Sequence, residues 1–153
     1  MNISENSFIN GTFSFFILVM IYLNYKKLLK TTLDLYLSRL AILISVMLLA
    51  FKHDAIIDLG HFLYCSVYLF FVAVFSNNQY LLALNIIMIL TIIYSRYYYK
   101  DCILNIKQNN TGFFWNLNNS KETHLWFWDW DYIFPILLLV SSIRFIRIRG
   151  VTL

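Results

Sequence analysis

Long apolar runs separated by short polar connections make up most of this chain. Each run is close to the roughly 20 residues with which an α-helix crosses a hydrocarbon core of about 30 Å. Three connections are short enough to turn each run back antiparallel to the one before it. The section 99–131 is the one long connection. The predicted spans, within a single transmembrane domain covering 1–153, are 8–25, 33–51, 55–75, 80–98 and 132–148.

Composition indicates that a bilayer is the medium of this chain. Of its residues 60% are hydrophobic and only 13% are charged, whereas an average soluble domain has about 25% charged residues. A chain of 153 residues cannot hide so much apolar surface from water. We therefore predict an all-α membrane bundle of four to five antiparallel helices with one Trp-rich extramembrane loop. The fifth run has Pro135 in its first predicted turn, and either crosses the membrane or lies tilted at its surface.

The third span carries an unusual polar stripe. Asp54, Asp58, His61, Cys65 and Tyr68 recur at helical spacing, so at about 100° per residue they share a face roughly 80° wide. The opposite face is apolar. Since an ionisable group facing lipid is costly, we expect the stripe to face protein or trapped water.

Three interpretations of the stripe remain open. Asp54, Asp58 and His61 have spacing that can ligate a metal ion, with His53 or His124 as further ligands. The same carboxylate and imidazole groups can form a proton relay or line a substrate pore. The third interpretation is a structural network that holds neighbouring helices in register.

The antiparallel path sets the depth of each charge and therefore its partner. Asp58 and His61 should lie near Arg96, at the far end of the fourth span. At the opposite end of the bundle, Asp34 should lie level with Arg39 and with a C-terminal basic cluster. Because an unpaired charge in hydrocarbon costs roughly 2.5–3.5 kcal/mol or more, we predict two ionic layers, one at each bundle end. The basic cluster comprises Arg144, Arg147 and Arg149.

Tryptophan is concentrated in and beside the long loop. Such residues are typical anchors at the membrane interface, where one side of the indole is wet and the other apolar; the alternative is a loop packed over the mouth of the bundle. The candidate anchors are Trp115, Trp126, Trp128 and Trp130. The aromatic run 97–99 is also predicted to belong to an interface belt.

Charge and cysteine content limit the classes of partner that this protein can have. The net charge of +4 comes from short basic clusters that flank the spans, which indicates lipid phosphates as partners and excludes a nucleic-acid surface. Cys65 and Cys102 form no metal or disulfide pattern, and we expect both to be thiols. The positive-inside bias and four Asn-X-Ser/Thr triplets favour an external or lumenal N-terminus and a cytosolic C-terminus.

One segment resembles a pattern in a group of viral proteins. Residues 77–105, NNQYLLALNIIMILTIIYSRYYYKDCILN, are similar to small uncharacterised membrane proteins of large DNA viruses. Those proteins also have an N-x-x-Y-L start, an apolar span, and an aromatic run before a cysteine followed by Ile-Leu. Here Tyr97 to Tyr99 stand where the viral proteins tend to have tryptophan, and Gln108 where they have an acidic residue. The resemblance implies a four- or five-helix membrane fold and no activity. The composition is equally typical of chains encoded by AT-rich organelle genomes, including respiratory-complex subunits.

No catalytic, nucleotide-binding or cofactor motif occurs in the sequence. The first functional hypothesis is therefore a structural or assembly protein of a membrane particle or complex, with lipids and other membrane subunits, or further copies of itself, as partners. The second is a small transporter or ion-conducting subunit that uses Asp58, His61 and Arg96. The third is a metal-dependent membrane enzyme that uses Asp54, Asp58 and His61.

Overall fold

The computed structural model describes residues 5–51, 53–99 and 130–150, and all regular structure in those ranges is helical. Four of the helical stretches are long and apolar enough to cross a membrane: Ser7–Tyr25, Thr32–Ala50, Ala55–Phe75 and Gln79–Tyr98. The predicted all-α membrane bundle is thereby confirmed. The elements are α1 (Glu5–Tyr25), α2 (Thr32–Ala50), α3 (Asp54–Phe62), a π-helical segment (Leu63–Leu69), α4 (Phe70–Phe75), α5 (Gln79–Tyr98) and α6 (Trp130–Gly150).

Helix α6 begins two residues earlier than the predicted fifth span. Pro135 consequently lies inside the helix and not in its first turn, so the placement predicted from the sequence is wrong. A proline at this point removes one hydrogen bond from the helical ladder. The helix is 21 residues long, but it is not among the four stretches that qualify as membrane spans, and a fifth crossing stays a prediction.

Helix ends are set by the capping residues that the connections supply. Thr31 caps α2 by accepting a hydrogen bond from the backbone N–H of Asp34, and Asn78 caps α5 by accepting from the N–H groups of Tyr80 and Leu81. These side chains satisfy N–H groups that the first helical turn leaves without a partner. Short connections with strong caps hold α1, α2, the third span and α5 in an antiparallel order.

The core forms along regularly spaced seams. The buried residues of α1 recur at intervals of four and three, the spacing that lets two long helices interlock side by side, and α1 packs mainly on α2. Helix α6 packs on α5 and α4. The buried residues of α1 are Ile9, Phe13, Phe16, Met20 and Leu23.

The outward faces of the bundle are as apolar as its core. Leu18 is 67% exposed, Leu43 57% and Leu139 61%, and many other large apolar side chains are similarly uncovered. In water, so continuous an apolar surface would cause the protein to aggregate, whereas lipid hydrocarbon solvates it at no cost in free energy. The exposed faces are therefore those of a membrane protein.

Candidate functional site

The predicted polar stripe lies on a helix that changes type midway. Helix α3 ends at Phe62, and the chain continues as a π-helix over Leu63–Leu69 before α4 begins. Because a π-helical turn holds more residues than an α-helical one, a face defined at 100° per residue does not continue past Phe62. His61, Cys65 and Tyr68 are nevertheless all buried.

The acidic half of the stripe lies outside the described side chains. Asp54 and Asp58 are in α3, but their side chains are not described, so the pairing of Asp58 with Arg96 and the metal interpretation remain untested. Within the described ranges, no three His, Cys, Asp or Glu side chains form a group that can hold a metal ion. Arg96 lies in the last turn of α5.

Four buried hydroxyl oxygens without a described partner lie in the π-helical segment or in α2, which packs on it. They belong to Ser45, Tyr64, Ser66 and Tyr68, and we call the three whose side chains are fully buried the interior hydroxyls: Ser45, Tyr64 and Tyr68. None of the three has a hydrogen-bond partner among the described residues, and all three side chains are at most 1% exposed. The rings of Tyr64 and Tyr68 are 5.1 Å apart, and Phe13 meets Tyr64 edge-on at 5.9 Å. Buried polar atoms without partners are uncommon in native proteins, because each costs its full desolvation free energy.

Close approach of the backbone brings the third span onto α2 just before this switch. A Cβ atom on Gly60 would lie 2.9 Å from Cδ2 of Leu48 and 3.2 Å from its Cγ. Glycine is therefore used here for packing, since its backbone conformation is not left-handed. The contact holds the π-helical segment against the buried face of α2 that carries Ser45.

A buried asparagine fastens the far end of the π-helical segment. The Nδ2 group of Asn85, in α5, donates to the carbonyl of Leu69 at 3.2 Å and to Oγ of Ser141, in α6, at 3.0 Å. Asn85 and Ser141 are both fully buried. Sequence reasoning missed this link, although a single asparagine in an apolar span is a recognisable signal for a hydrogen bond between membrane helices.

A second polar region, the Ser76 network, lies at the end of the bundle where α2 and α5 begin. Asp34 is 1% exposed; its carboxylate accepts hydrogen bonds from Oγ1 of Thr31 at 2.6 Å and from Oγ of Ser76 at 2.7 Å. Hydroxyl donors and the positive end of the α2 dipole both stabilise a carboxylate in this position. We define the Ser76 network as Thr31, Asp34, Ser76, Asn77, Asn78 and Arg144.

Arg144 closes the Ser76 network from the side of α6. Its guanidinium donates to the carbonyl of Val74, to that of Ser76 at 2.7 Å and to Oδ1 of Asn77 at 2.8 Å. A cation at the carbonyl end of α4 satisfies acceptors that the last helical turn leaves open. Asn78 adds a link to the α1–α2 connection by donating to the carbonyl of Leu28 at 2.8 Å.

The structure therefore joins two members of the predicted layer through a serine. Asp34 receives the hydroxyl of Ser76, and Arg144 binds the carbonyl of the same residue. Arg39 is exposed and is not part of the network. The sequence placed Asp34 and Arg144 at one level, but no periodicity signals that a turn serine would lie between them.

Aromatic side chains gather at the opposite end of the bundle. The rings of Tyr94 and Tyr98 stack at 5.6 Å, and Phe8, from α1, lies 5.5 Å from Tyr99. Tyr97 is 77% exposed. An aromatic belt of this kind suits the boundary between lipid and water.

The structure describes little of the predicted tryptophan anchors. Trp115, Trp126 and Trp128 lie outside the described residues, as do Cys102 and His124. Trp130 is the first residue of α6, but its side chain is not described.

Taken together, the fold and its polar contacts define a multi-pass α-helical membrane protein. The chain matches no protein-family model, no curated protein and no solved structure.

Proposed function

We propose that this protein is a structural or assembly component of a membrane particle or larger membrane complex. The observation that supports the proposal is that the polar side chains of the bundle form hydrogen bonds to neighbouring helices and helix ends. Asp34, Asn78, Asn85 and Arg144 all bind neighbouring helices or helix ends. Groups engaged in this way stabilise an arrangement of helices, and they are not available to a substrate.

The outer surface supports the same proposal. Phe71, on α4, contacts Phe70 and Phe75, with ring centroids 6.0 Å and 5.3 Å apart, and all three side chains are at least 39% exposed. Large aromatic side chains provide extensive contact area at little cost in conformational entropy. Such a surface suits lateral contact with further copies of this chain or with other membrane subunits.

The test is the mass of the particle that the protein forms in a membrane. The full chain, expressed in membranes and extracted in a mild detergent, should migrate as an assembly several times larger than the 18.3 kDa chain. Mass photometry or light scattering with the detergent contribution subtracted gives this value. Strictly monomeric protein across a range of detergents and in lipid nanodiscs would contradict the proposal.

A second candidate function is a small transporter or ion-conducting subunit. It is favoured by the interior hydroxyls, which have no described protein partner, and by the burial of His61 one turn before Tyr64. Buried hydroxyl and imidazole groups inside a membrane bundle are typical of proton and ion paths. Purified protein in vesicles that contain a pH-sensitive dye should then give a flux that Asp58→Asn abolishes; absence of flux in the wild type removes this candidate.

We further propose that the Ser76 end faces the cytosol and that the N-terminus lies outside or in a lumen. Cationic residues flanking the spans at that end support this orientation through the positive-inside bias. The resemblance of residues 77–105 to membrane proteins of large DNA viruses makes a viral membrane one setting for the protein. Glycosylation of Asn109 or Asn118, the acceptor triplets in the long connection 99–131, tests the orientation when it is detected as a mass shift on expression in eukaryotic membranes.

A further inference from the structure

One end of the bundle carries a concentration of cationic side chains. They belong to the α1–α2 connection and to the last turns of α6, and five of the six are exposed. Among the residues that the structure describes, Asp34 is the acidic group at this end, and it is buried and bonded to hydroxyls. The cations are Lys26, Lys27, Lys30, Arg144, Arg147 and Arg149.

Hydrogen bonds bring the two cationic segments to the same turn. The α1–α2 connection is tied to this turn where Asn78 donates to the carbonyl of Leu28. Helix α6 is tied to it where Arg144 binds the carbonyl of Ser76. Lys27 and Lys30 on one side, and Arg147 on the other, therefore lie at the same end of the bundle beside a neutral turn.

One of these cations, Lys27, has an unusual backbone conformation. The N–H of Lys27 donates to the carbonyl of Asn24 at 3.1 Å, and the N–H of Leu28 donates to the carbonyl of Leu23 at 3.0 Å. This pair of bonds is the Schellman ending of a helix, in which glycine is the usual residue at the left-handed position. Lys27 occupies that position with φ of 53°. Folding alone would favour glycine there, because the Cβ atom disfavours left-handed backbone.

A lysine at such a position supplies a charge that glycine cannot. The end of a membrane-spanning bundle lies among lipid headgroups, whose phosphates are the fixed anions at that depth. Lysine binds phosphate as a compact point charge and arginine binds it through a fork of N–H donors. We propose that the α1–α2 connection and the last turns of α6 bind the headgroup of an anionic phospholipid, with Lys27, Lys30 and Arg147 as its cationic contacts.

The experiment measures lipid-dependent thermal stability of the full chain in neutral detergent micelles. Phosphatidylglycerol should raise Tm by several degrees more than phosphatidylcholine at equal mole fraction, and added salt should reduce the difference. Lys27→Gly should leave the lipid-free Tm unchanged or higher while weakening the affinity for phosphatidylglycerol roughly fivefold, the effect expected for one interfacial cation. Lys27→Arg, which keeps the charge, is the matched control and should keep the affinity.

Three results would overturn the proposal. They are an unchanged phosphatidylglycerol affinity in Lys27→Gly, equal stabilisation by phosphatidylcholine, and equal stabilisation by inorganic phosphate without anionic lipid. Should Lys27→Gly fail to fold, the double variant Lys30→Gln with Arg147→Gln replaces it, since both side chains are exposed. That variant should weaken the affinity by more than tenfold, and an unchanged value contradicts the proposal in the same way.

Discussion

The Ser76 network and the interior hydroxyls are both polar groups buried in an apolar bundle, and they differ in how their hydrogen bonds are made. At the Ser76 end, Asp34 and Arg144 bind hydroxyl, carbonyl and amide groups from three different helix ends. In the interior, Tyr64 and Tyr68 have no described hydrogen-bond partner for their hydroxyl groups. The first region stabilises the fold, whereas the second costs stability unless something binds it.

This difference indicates where function beyond structure is to be sought. Buried polar groups with complete hydrogen bonding specify one arrangement of helices. Buried polar groups without partners lower stability and therefore call for an explanation, and π-helical segments are frequent at functional sites. Substitutions in the two regions should therefore differ in the sign and size of their effects on the free energy of unfolding.

The largest effect is expected from removal of the carboxylate in the Ser76 network. Asp34→Ala deletes two hydrogen bonds to a charged group and leaves the hydroxyls of Thr31 and Ser76 without their acceptor. Bonds of this kind contribute about 1.5–3 kcal/mol each in soluble proteins and less in membranes, so we expect a loss of roughly 2–4 kcal/mol in SDS-titration unfolding. Arg39→Ala, in the same helix but exposed, should change stability by no more than about 0.5 kcal/mol. Equal losses of stability for the two substitutions would show that the Ser76 network does not stabilise the fold.

Alanine substitutions at two glycines should change stability in opposite directions, because only the one beside the π-helical segment packs against a neighbouring helix. Gly60→Ala places a Cβ atom against Leu48, and we expect a loss of about 1 kcal/mol because the leucine must shift. Gly11→Ala, in α1, meets nothing within 4 Å and should stabilise the helix by roughly 0.5–1 kcal/mol. Both values come from the same unfolding titration, and stabilisation by Gly60→Ala would show that the third span does not approach α2 this closely.

A loss of similar size is expected at the asparagine that joins α5 to the end of the π-helical segment. Asn85→Leu removes the bonds to Leu69 and Ser141 but also removes a buried Oδ1 atom that has no described partner. The two effects partly cancel, leaving a loss of about 1 kcal/mol. Thr91→Val is the control, because its hydroxyl bonds only the preceding turn of its own helix. A gain in stability for Asn85→Leu would contradict the assigned link.

The smallest change in stability is expected on removal of the interior hydroxyls, and the sign of that change is the most informative. Tyr64→Phe and Tyr68→Phe remove buried hydroxyls without described partners, so each should leave stability unchanged or raise it by up to about 1 kcal/mol. Tyr22→Phe, at a side chain that is 54% exposed, is the control. A loss of more than about 1 kcal/mol at Tyr64 or Tyr68 would mean that the hydroxyl binds water or a ligand, and would favour the transport function.

Much of the fold could be predicted from the sequence because hydrocarbon imposes a simple rule on it. Apolar runs of span length must be helical, since no other open structure satisfies its backbone there. Turn residues such as those at 76–79 are evident in the sequence, and they set the antiparallel order. The depth argument derived from that order correctly placed Asp34 and Arg144 at the same end, where Ser76 joins them.

The details of the site could not be predicted in this way. The segment Leu63–Leu69 contains no proline or glycine, and nothing in its periodicity distinguishes a π-helix from an α-helix. The hydroxyl of Ser76 reaches Asp34 because two connections and helix α6 meet there, which is a property of packing and not of local sequence. Asn85 was the detectable omission, since it is the sole amide in the apolar run 80–98.

The central claim is that lipid covers the exposed apolar faces of this bundle. Spin labels at Leu18, Leu43 and Leu90, placed singly in a variant without cysteine and reconstituted in vesicles, test it most directly, because these side chains are exposed near the middle of α1, α2 and α5. Oxygen, which partitions into hydrocarbon, should relax all three labels strongly, and a water-soluble nickel chelate should not. Strong relaxation by the nickel chelate at these positions would contradict the account.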